Sequence, residues 1–133
     1  MADSRRGSVS VEREMGLSEG IVAKNVASPD VASTFIDGSE RAAVHVGDVA
    51  IGRGIYRPGW QWSQHAQPLS KKNTAEHAGY VISGRMRVRT KDGTEVDLGP
   101  GDAFIVSAGH DAWVLGDEPC VALDFMQVTR ERA

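Results

Sequence analysis

The sequence predicts an all-β fold, either a sandwich or a barrel, from the spacing of its apolar stretches and its turns. Short apolar stretches follow one another from residue 42 onward, and Gly, Pro, Asp or Asn separates them. Two of these separators, Ser83-Gly84 and Asp92-Gly93, favour the tight turns of β-hairpins. Many short strands with regular turns and no long helix are typical of sandwiches and barrels.

The chain divides into an N-terminal arm and one folded domain. Its 133 residues, of which 41% are hydrophobic, suit a single core. Residues 1–20 are polar and charged and contain Gly and Ser, so we expect a flexible arm there and a single β domain over residues 21–133. At the start of the domain, Ser28 offers a helix N-cap and Pro29 suits the first helical position. This pair predicts one short helical turn.

Apolar or alternating runs bounded by turn residues predict the strands that follow. Their ranges are residues 43–46, 49–56, 61–67, 77–82, 85–90, 95–98, 103–106, 112–115 and 121–128. Residues 68–74 have no strand pattern and are predicted to form a loop. Arg85, Arg87 and Arg89 alternate and therefore share one strand face, which is either a solvated outer face or an anion-binding stripe.

The composition excludes several classes of function. The net charge of −3 and the lack of a Lys/Arg cluster argue against nucleic acid and membrane surfaces as partners. Cys120 is the only cysteine, so no internal disulfide can form, and its apolar neighbours predict a small buried side chain. No run reaches the roughly 20 apolar residues of a membrane span, and the N-terminus lacks an apolar signal core, so we expect a cytoplasmic protein.

Histidines recur at spacings that suit metal ligands. Five residues separate Gly59 from His65, Gln67 follows two residues later, and six residues separate His77 from Gly84. Residues two apart on a strand share a face, so His65 and Gln67 can point at one spot. A hairpin partner can then bring His77 opposite them. Imidazole nitrogen suits most divalent transition metals, and a Gln carbonyl oxygen is a weak neutral ligand.

These motifs, together with the glycines Gly101 and Gly109 and the nearby His110, resemble those of the cupin family over roughly residues 44–126. The family has a second His at the place of Gln67, a Glu at that of His77, and a final His at that of Ala112, two residues after His110. The resemblance implies an antiparallel jelly-roll β-barrel that pairs as a homodimer. It also implies one divalent transition metal, Zn or Fe before Ni or Mn. The implied ligands are His65, Gln67, His77 and His110. The alternative is a barrel that has lost the metal and hydrogen-bonds its histidines internally.

Aromatic residues flank the implied site. Trp60, Trp62 and Trp113 are either packing between sheets or an aromatic wall for a flat or apolar ligand. Tyr80 either packs in the core or points its hydroxyl near the metal as an acid, and His110 is the other candidate for moving a proton.

The carboxylates nearest to the implied ligands are Glu76 and Asp111. Each is either an exposed loop residue or a group that orients a ligand histidine or acts as a base.

The favoured function is a metal-dependent enzyme that acts on a small organic molecule. A His/Gln site suits a Lewis acid better than oxygen activation, so we expect a cyclase-like or isomerase-like reaction on an aromatic or polyketide-like substrate. Three alternatives stay open: a non-catalytic ligand-binding or sensor barrel, a cupin dioxygenase, and a purely structural barrel whose role is to form dimers.

Overall fold

The computed structural model describes residues 15–16 and 19–128. Most of the expected arm, residues 1–14 and 17–18, lies outside the described residues, as do residues 129–133. The strands are β1 (Val31–Thr34), β2 (Glu40–Val46), β3 (Val49–Tyr56), β4 (His77–Ser83), β5 (Arg85–Arg89), β6 (Glu95–Leu98), β7 (Ala103–Val106), β8 (Asp111–Leu115) and β9 (Cys120–Gln127). Between β3 and β4 lie a π-helical segment (Trp62–Ala66) and a short helix α1 (Gln67–Ser70).

The strands form two antiparallel sheets, and the expected jelly-roll architecture is confirmed. One sheet has six strands in the order β1-β2-β3-β9-β4-β7, and the other has three in the order β6-β5-β8. Alternate residues of both sheets point inward and form the core. The buried core residues are Trp60, Ala66, Val81, Met86, Val88, Leu98, Val106, Ala112, Val114, Cys120 and Ala122. Within the described residues, no helix is long and apolar enough to cross a membrane.

The predicted hairpin turns are confirmed at both glycines. Gly84 joins β4 to β5 with φ of 76°, and Gly93 joins β5 to β6 with φ of 90°. A side chain at Gly84 would also collide with the backbone carbonyl of Pro119. Only glycine adopts this left-handed conformation without strain, which is why a local sequence signal was sufficient here.

The helical turn predicted after Ser28 is wrong, because the chain forms strand β1 there instead. The side chain of Asp30 accepts a hydrogen bond of 2.9 Å from the backbone N–H of His45 on β2. This contact holds the start of β1 against β2, where Val31 pairs with Ala43. Pairing with β2 therefore overrides the local preference for a helix.

The strand predicted at residues 61–67 is also wrong. The His65 backbone N–H donates to the Gln61 carbonyl at 2.9 Å, and the His65 Nδ1 accepts from the Gln61 N–H at 3.0 Å. The carboxylate of Asp111 accepts hydrogen bonds from the Ser63 backbone N–H at 3.0 Å and from its hydroxyl at 2.8 Å. These bonds wind the segment into a helix, and Pro68 continues it because proline is tolerated in a first helical turn. His65 and Gln67 therefore do not share a strand face.

Candidate functional site

His77 and His110 meet at the inner face of the barrel. His77 begins β4 and points inward with Gly79 and Val81, since alternate residues of a strand share a face. His110 directly precedes β8 and is only 6% exposed. The centroids of the two imidazole rings are 5.2 Å apart, and the ring planes are inclined at 52°. The edge of the His77 ring also faces Phe104, with centroids 6.1 Å apart.

Backbone carbonyls fix the orientation of both rings. The Nδ1 of His77 lies 3.0 Å from the carbonyl of Ala75, and that of His110 lies 2.7 Å from the carbonyl of Ser107. A carbonyl can only accept, so each Nδ1 carries the proton and each neutral ring keeps its lone pair on Nε2. Burial lowers the pKa of His110, more than the hydrogen bond to Ser107 raises it. His110 therefore favours the neutral form.

The other two expected ligands do not join this pair. His65 is half-buried in the π-helical segment, and its Nδ1 lone pair is occupied by the Gln61 N–H. The side-chain amide of Gln67, at the start of α1, donates to Asn73 at 3.5 Å. Among residues 15–16 and 19–128, no group of three or more His, Cys, Asp or Glu side chains is arranged to hold a metal ion.

The two imidazoles are suitable ligands for a metal ion, but they are fewer than a metal site usually has. Imidazole nitrogen suits Zn, Fe, Ni and other divalent metals, and a ring whose Nδ1–H is held by a carbonyl presents Nε2 as a ligand. A catalytic zinc usually has three protein ligands, and a non-haem iron site usually has three including a carboxylate. Two neutral imidazoles alone therefore do not complete the metal site that the sequence suggested.

Two of the expected pocket residues lie outside the barrel, which corrects their predicted roles. Tyr80 is 40% exposed and lies on the outer face of β4, because it is an odd number of residues from His77. Trp113 lies on the outer face of β8, where the Arg89 guanidinium carbon is 6.0 Å from its ring centroid. The same odd step separates Trp113 from the buried Ala112 on one side and Val114 on the other.

The remaining tryptophans pack inside the barrel. Trp60 is 4% exposed, and its ring centroid lies 4.3 Å from that of Tyr56 and 5.8 Å from that of Phe35. Trp62 is half-buried against the same core. Packing between the sheets therefore accounts for both residues.

Asp111 has a structural role that the sequence did not predict. Besides Ser63, it accepts a hydrogen bond of 2.8 Å from the side chain of Gln61. Burial would raise the pKa of Asp111, but the hydrogen bonds from Ser63 and Gln61 outweigh it and lower the pKa. The ionised carboxylate thus fastens the π-helical segment to β8, directly beside His110.

Sequence reasoning missed a second polar cluster on the inner face of the six-stranded sheet. The Arg41 guanidinium donates to Asp124 from Nε at 2.9 Å and from Nη2 at 2.6 Å. The two side chains are 27% and 15% exposed. Tyr56 lies near both groups, and burial is the main reason why the pKa of its hydroxyl is raised. Asp124 pairs across the sheet with Gly79, which is two residues from His77 on the same face.

Two glycines of β3 make room for this cluster. A Cβ at Gly52 would collide with the Arg41 guanidinium and the Asp124 carboxylate, and one at Gly54 would collide with the Tyr56 ring. Glycine inside a strand marks a close approach of another group. The Gly52-Arg53-Gly54 alternation was therefore the sequence signal that could have revealed the cluster.

Comparisons with known proteins agree with this fold. The family model described as "Cupin domain" matches residues 56–126. A sugar phosphate isomerase from a cupin superfamily, from Silicibacter pomeroyi, is 15% identical with a TM-score of 0.61, and the match covers 81% of this chain and 76% of that one. KdgF from Halomonas sp. is 22% identical with a TM-score of 0.58, covering 85% of this chain and 97% of that one.

An RmlC-like cupin from Shewanella frigidimarina is 16% identical with a TM-score of 0.60, and the match covers 86% of this chain and 97% of that one. At these identities the similarity establishes the fold. No curated protein matches the chain.

Proposed function

This chain belongs to the cupin family, and on that premise we propose that its barrel binds a small organic molecule and catalyses an isomerase-like proton transfer on it. The observation that carries the proposal is the pair of inward-facing imidazoles. Each has its Nδ1–H held by a backbone carbonyl, so each neutral ring offers its Nε2 to a ligand. Such fixed rings are suited to general acid–base catalysis.

In the proposed reaction His110 acts as the base and returns the same proton, and His77 moves the proton of a neighbouring hydroxyl. The Nε2 of His110 removes a proton from a carbon beside a substrate carbonyl, and the electron pair of that C–H bond passes to the carbonyl oxygen. The His110 imidazolium then returns the proton to the former carbonyl carbon, while the Nε2 of His77 takes the proton of the neighbouring hydroxyl and gives it to the oxyanion, which completes the isomerisation. The lowered pKa of His110 supports this role, because a base must be deprotonated near neutral pH. The description of one structural relative as a sugar phosphate isomerase is consistent with this reaction class.

A metal-dependent form of the same reaction is the second candidate, and the two free Nε2 atoms favour it. A bound Zn, Fe, Ni or Mn ion would supply Lewis acidity. Its remaining ligands would have to come from water, from the substrate or from groups beyond the described pair. We therefore assign no step to the metal.

Exchange of substrate hydrogen for solvent deuterium tests the proposed reaction directly. A panel of aldose and ketose phosphates is incubated in D₂O with the purified protein, and deuterium incorporation is followed by NMR. His77→Gln and His110→Gln should lower the exchange rate about 100-fold or more, as expected for loss of a positioned acid or base. His45→Gln, at an exposed position on β2, is the matched control and should have no effect.

His65→Gln separates the two candidates, together with elemental analysis of each protein. The proton-transfer proposal expects this variant to retain exchange activity and metal content, because the His65 Nδ1 already serves the backbone. Loss of both a stoichiometric metal and activity in His65→Gln would support the four-ligand metal site instead. Tight binding of a panel compound without any exchange would favour a non-catalytic binding protein.

We also propose that the barrel forms a homodimer through the outer face of the six-stranded sheet. This face exposes four large apolar side chains, and Ile105 is 73% exposed. The four residues are Ile55, Tyr80, Ile82 and Ile105. Exposed apolar clusters of this kind usually mark a contact surface. Light scattering should give a dimer for the wild type and a monomer for Ile105→Asp, whereas Val96→Asp, exposed on the other sheet, should stay dimeric.

A further inference from the structure

We propose that the ligand of this barrel is a small organic anion, and that Arg41 binds its carboxylate or phosphate group. The claim that this anion is converted rests on the proposed function. The claim that it binds does not. It starts from the cluster of Arg41, Asp124 and Tyr56, which the proton-transfer reaction does not use.

The contact with Asp124 leaves one edge of the Arg41 guanidinium available. Asp124 occupies Nε and one hydrogen of Nη2, so the two hydrogens of Nη1 and the second hydrogen of Nη2 remain. These hydrogens form the end-on fork that binds a carboxylate or phosphate through two oxygens. Because the Arg41 side chain is 27% exposed, a ligand can reach it.

Tyr56 adds a further donor beside this fork. Burial, and then the charge of Asp124, raise the pKa of its hydroxyl, so the O–H stays protonated. Tyr56 packs against Phe35 and Trp60 through its ring, and the described residues provide no hydrogen-bond partner for its hydroxyl. The indole Nε1 of Trp60 is likewise buried without a partner among the described residues.

The free polar groups of this cluster are therefore donors. Both carboxylate oxygens of Asp124 already accept from Arg41, whereas the Arg41 fork and the Tyr56 hydroxyl can donate. A surface that offers donors selects a group rich in acceptors, and carboxylates and phosphates are the common groups of that kind. A ligand without such acceptors would leave these donors unpaired, which costs binding free energy.

The cluster and the histidine pair lie on the same inner face of the six-stranded sheet. Gly79 lies opposite Asp124, and His77 precedes Gly79 by two positions on the same face of β4. Diagonal neighbours of this kind are about 7–8 Å apart, which is the length of a small organic molecule. The Phe104 ring lies over Gly79 and beside His77. An anion held by Arg41 would therefore extend its uncharged end along this ring toward the histidine pair.

Binding of inorganic phosphate and of malonate, measured by isothermal titration calorimetry at constant ionic strength, tests the inference. The wild type should bind at least one of them. Arg41→Lys should lower the affinity for that anion about tenfold or more, because lysine keeps the charge but lacks the fork. Tyr56→Phe, which removes only the hydroxyl, should weaken binding several-fold. The stronger of the two probes identifies the group as phosphate or carboxylate.

The chain supplies matched controls on its outer surface. Arg87→Lys alters a guanidinium that has the same two-point contact with Asp97, and Tyr80→Phe removes an exposed hydroxyl. Neither should change anion binding. Circular dichroism establishes that each variant is folded, and Tyr56→Phe tests the site if Arg41→Lys does not fold. Equal binding by wild type, Arg41→Lys and Tyr56→Phe would overturn the inference.

Two further outcomes separate this inference from the proposed reaction. Anion binding that depends on Arg41, in a protein that exchanges no substrate hydrogen, would uphold the inference and refute the proton-transfer function. Exchange activity that depends on His110 but not on Arg41, with no binding of either probe, would uphold the proton-transfer function and refute the inference.

Discussion

The barrel contains two arginine–aspartate pairs of the same geometry, one on the inner face of the six-stranded sheet and one on the outer face of the three-stranded sheet. Arg41 contacts Asp124 through Nε and Nη2 at 2.9 and 2.6 Å, and Arg87 contacts Asp97 through the same atoms at 2.6 and 3.0 Å. The inner side chains are 27% and 15% exposed, whereas the outer ones are 37% and 38% exposed.

This difference in exposure separates a partly desolvated pair from a solvated one. The outer pair belongs to a ladder of charges in which Arg85 and Arg89 also face Asp97 and Glu95. Water and salt screen such charges, so each contact contributes little. The inner pair is partly desolvated and lies over Gly52 of β3, where a side chain would collide with it. Two salt bridges of the same geometry therefore differ in solvation, because solvation depends on their placement in the fold.

The comparison of the two pairs predicts that removing one carboxylate charge has the largest effect on stability. Asp124→Asn should lower the free energy of unfolding by about 3 kcal/mol, because it leaves the Arg41 charge partly buried without its counter-charge. Asp97→Asn makes the same chemical change on the outer face and should have little effect. Urea denaturation of both variants measures the difference, and equal destabilisation would show that the two pairs are energetically equivalent.

A smaller effect is expected from closing the space under the inner pair. In Gly52→Ala the new Cβ would collide with the Arg41 guanidinium, which must then move off Asp124. We expect a loss of about 1 kcal/mol of stability, because the colliding atoms end a flexible side chain, together with weaker anion binding. Gly99→Ala is the control, since its nearest new neighbour is Arg85 Cγ at 3.9 Å. Unchanged phosphate or malonate binding in Gly52→Ala would contradict a role for the fixed guanidinium.

The fold was largely predictable because its signals are local. Alternating apolar residues and the glycines at 84 and 93 placed eight of the nine predicted strands close to their observed positions. The failure at residues 61–67 has a long-range cause, since the hydrogen bonds from Ser63 to Asp111 span 48 residues. No pattern within the segment itself could reveal that contact.

The candidate site was predicted less well for the same reason. His77 and His110 were identified from motif spacing, and the structure brings them together. Arg41 and Asp124 lie 83 residues apart in the chain, and the register of β2, β3 and β9 alone makes them neighbours. Strand periodicity could have excluded Tyr80 and Trp113 from the interior, because both are an odd step from residues assigned to it.

The smallest predicted effect is the pH dependence that the buried His110 gives to stability. Burial lowers the pKa of His110 in the folded state below the value of about 6.5 that an unfolded chain has. Below that pH the unfolded state binds more protons than the folded state, so this histidine makes the protein less stable as the pH falls from 7.5 through 6.5 toward its folded pKa. Urea denaturation at pH 7.5 and 5.5 should show a smaller loss for His110→Gln than for the wild type. If His110→Gln instead kept the full pH dependence, the acid sensitivity would arise elsewhere, and the inner face would not hold His110 in its neutral form.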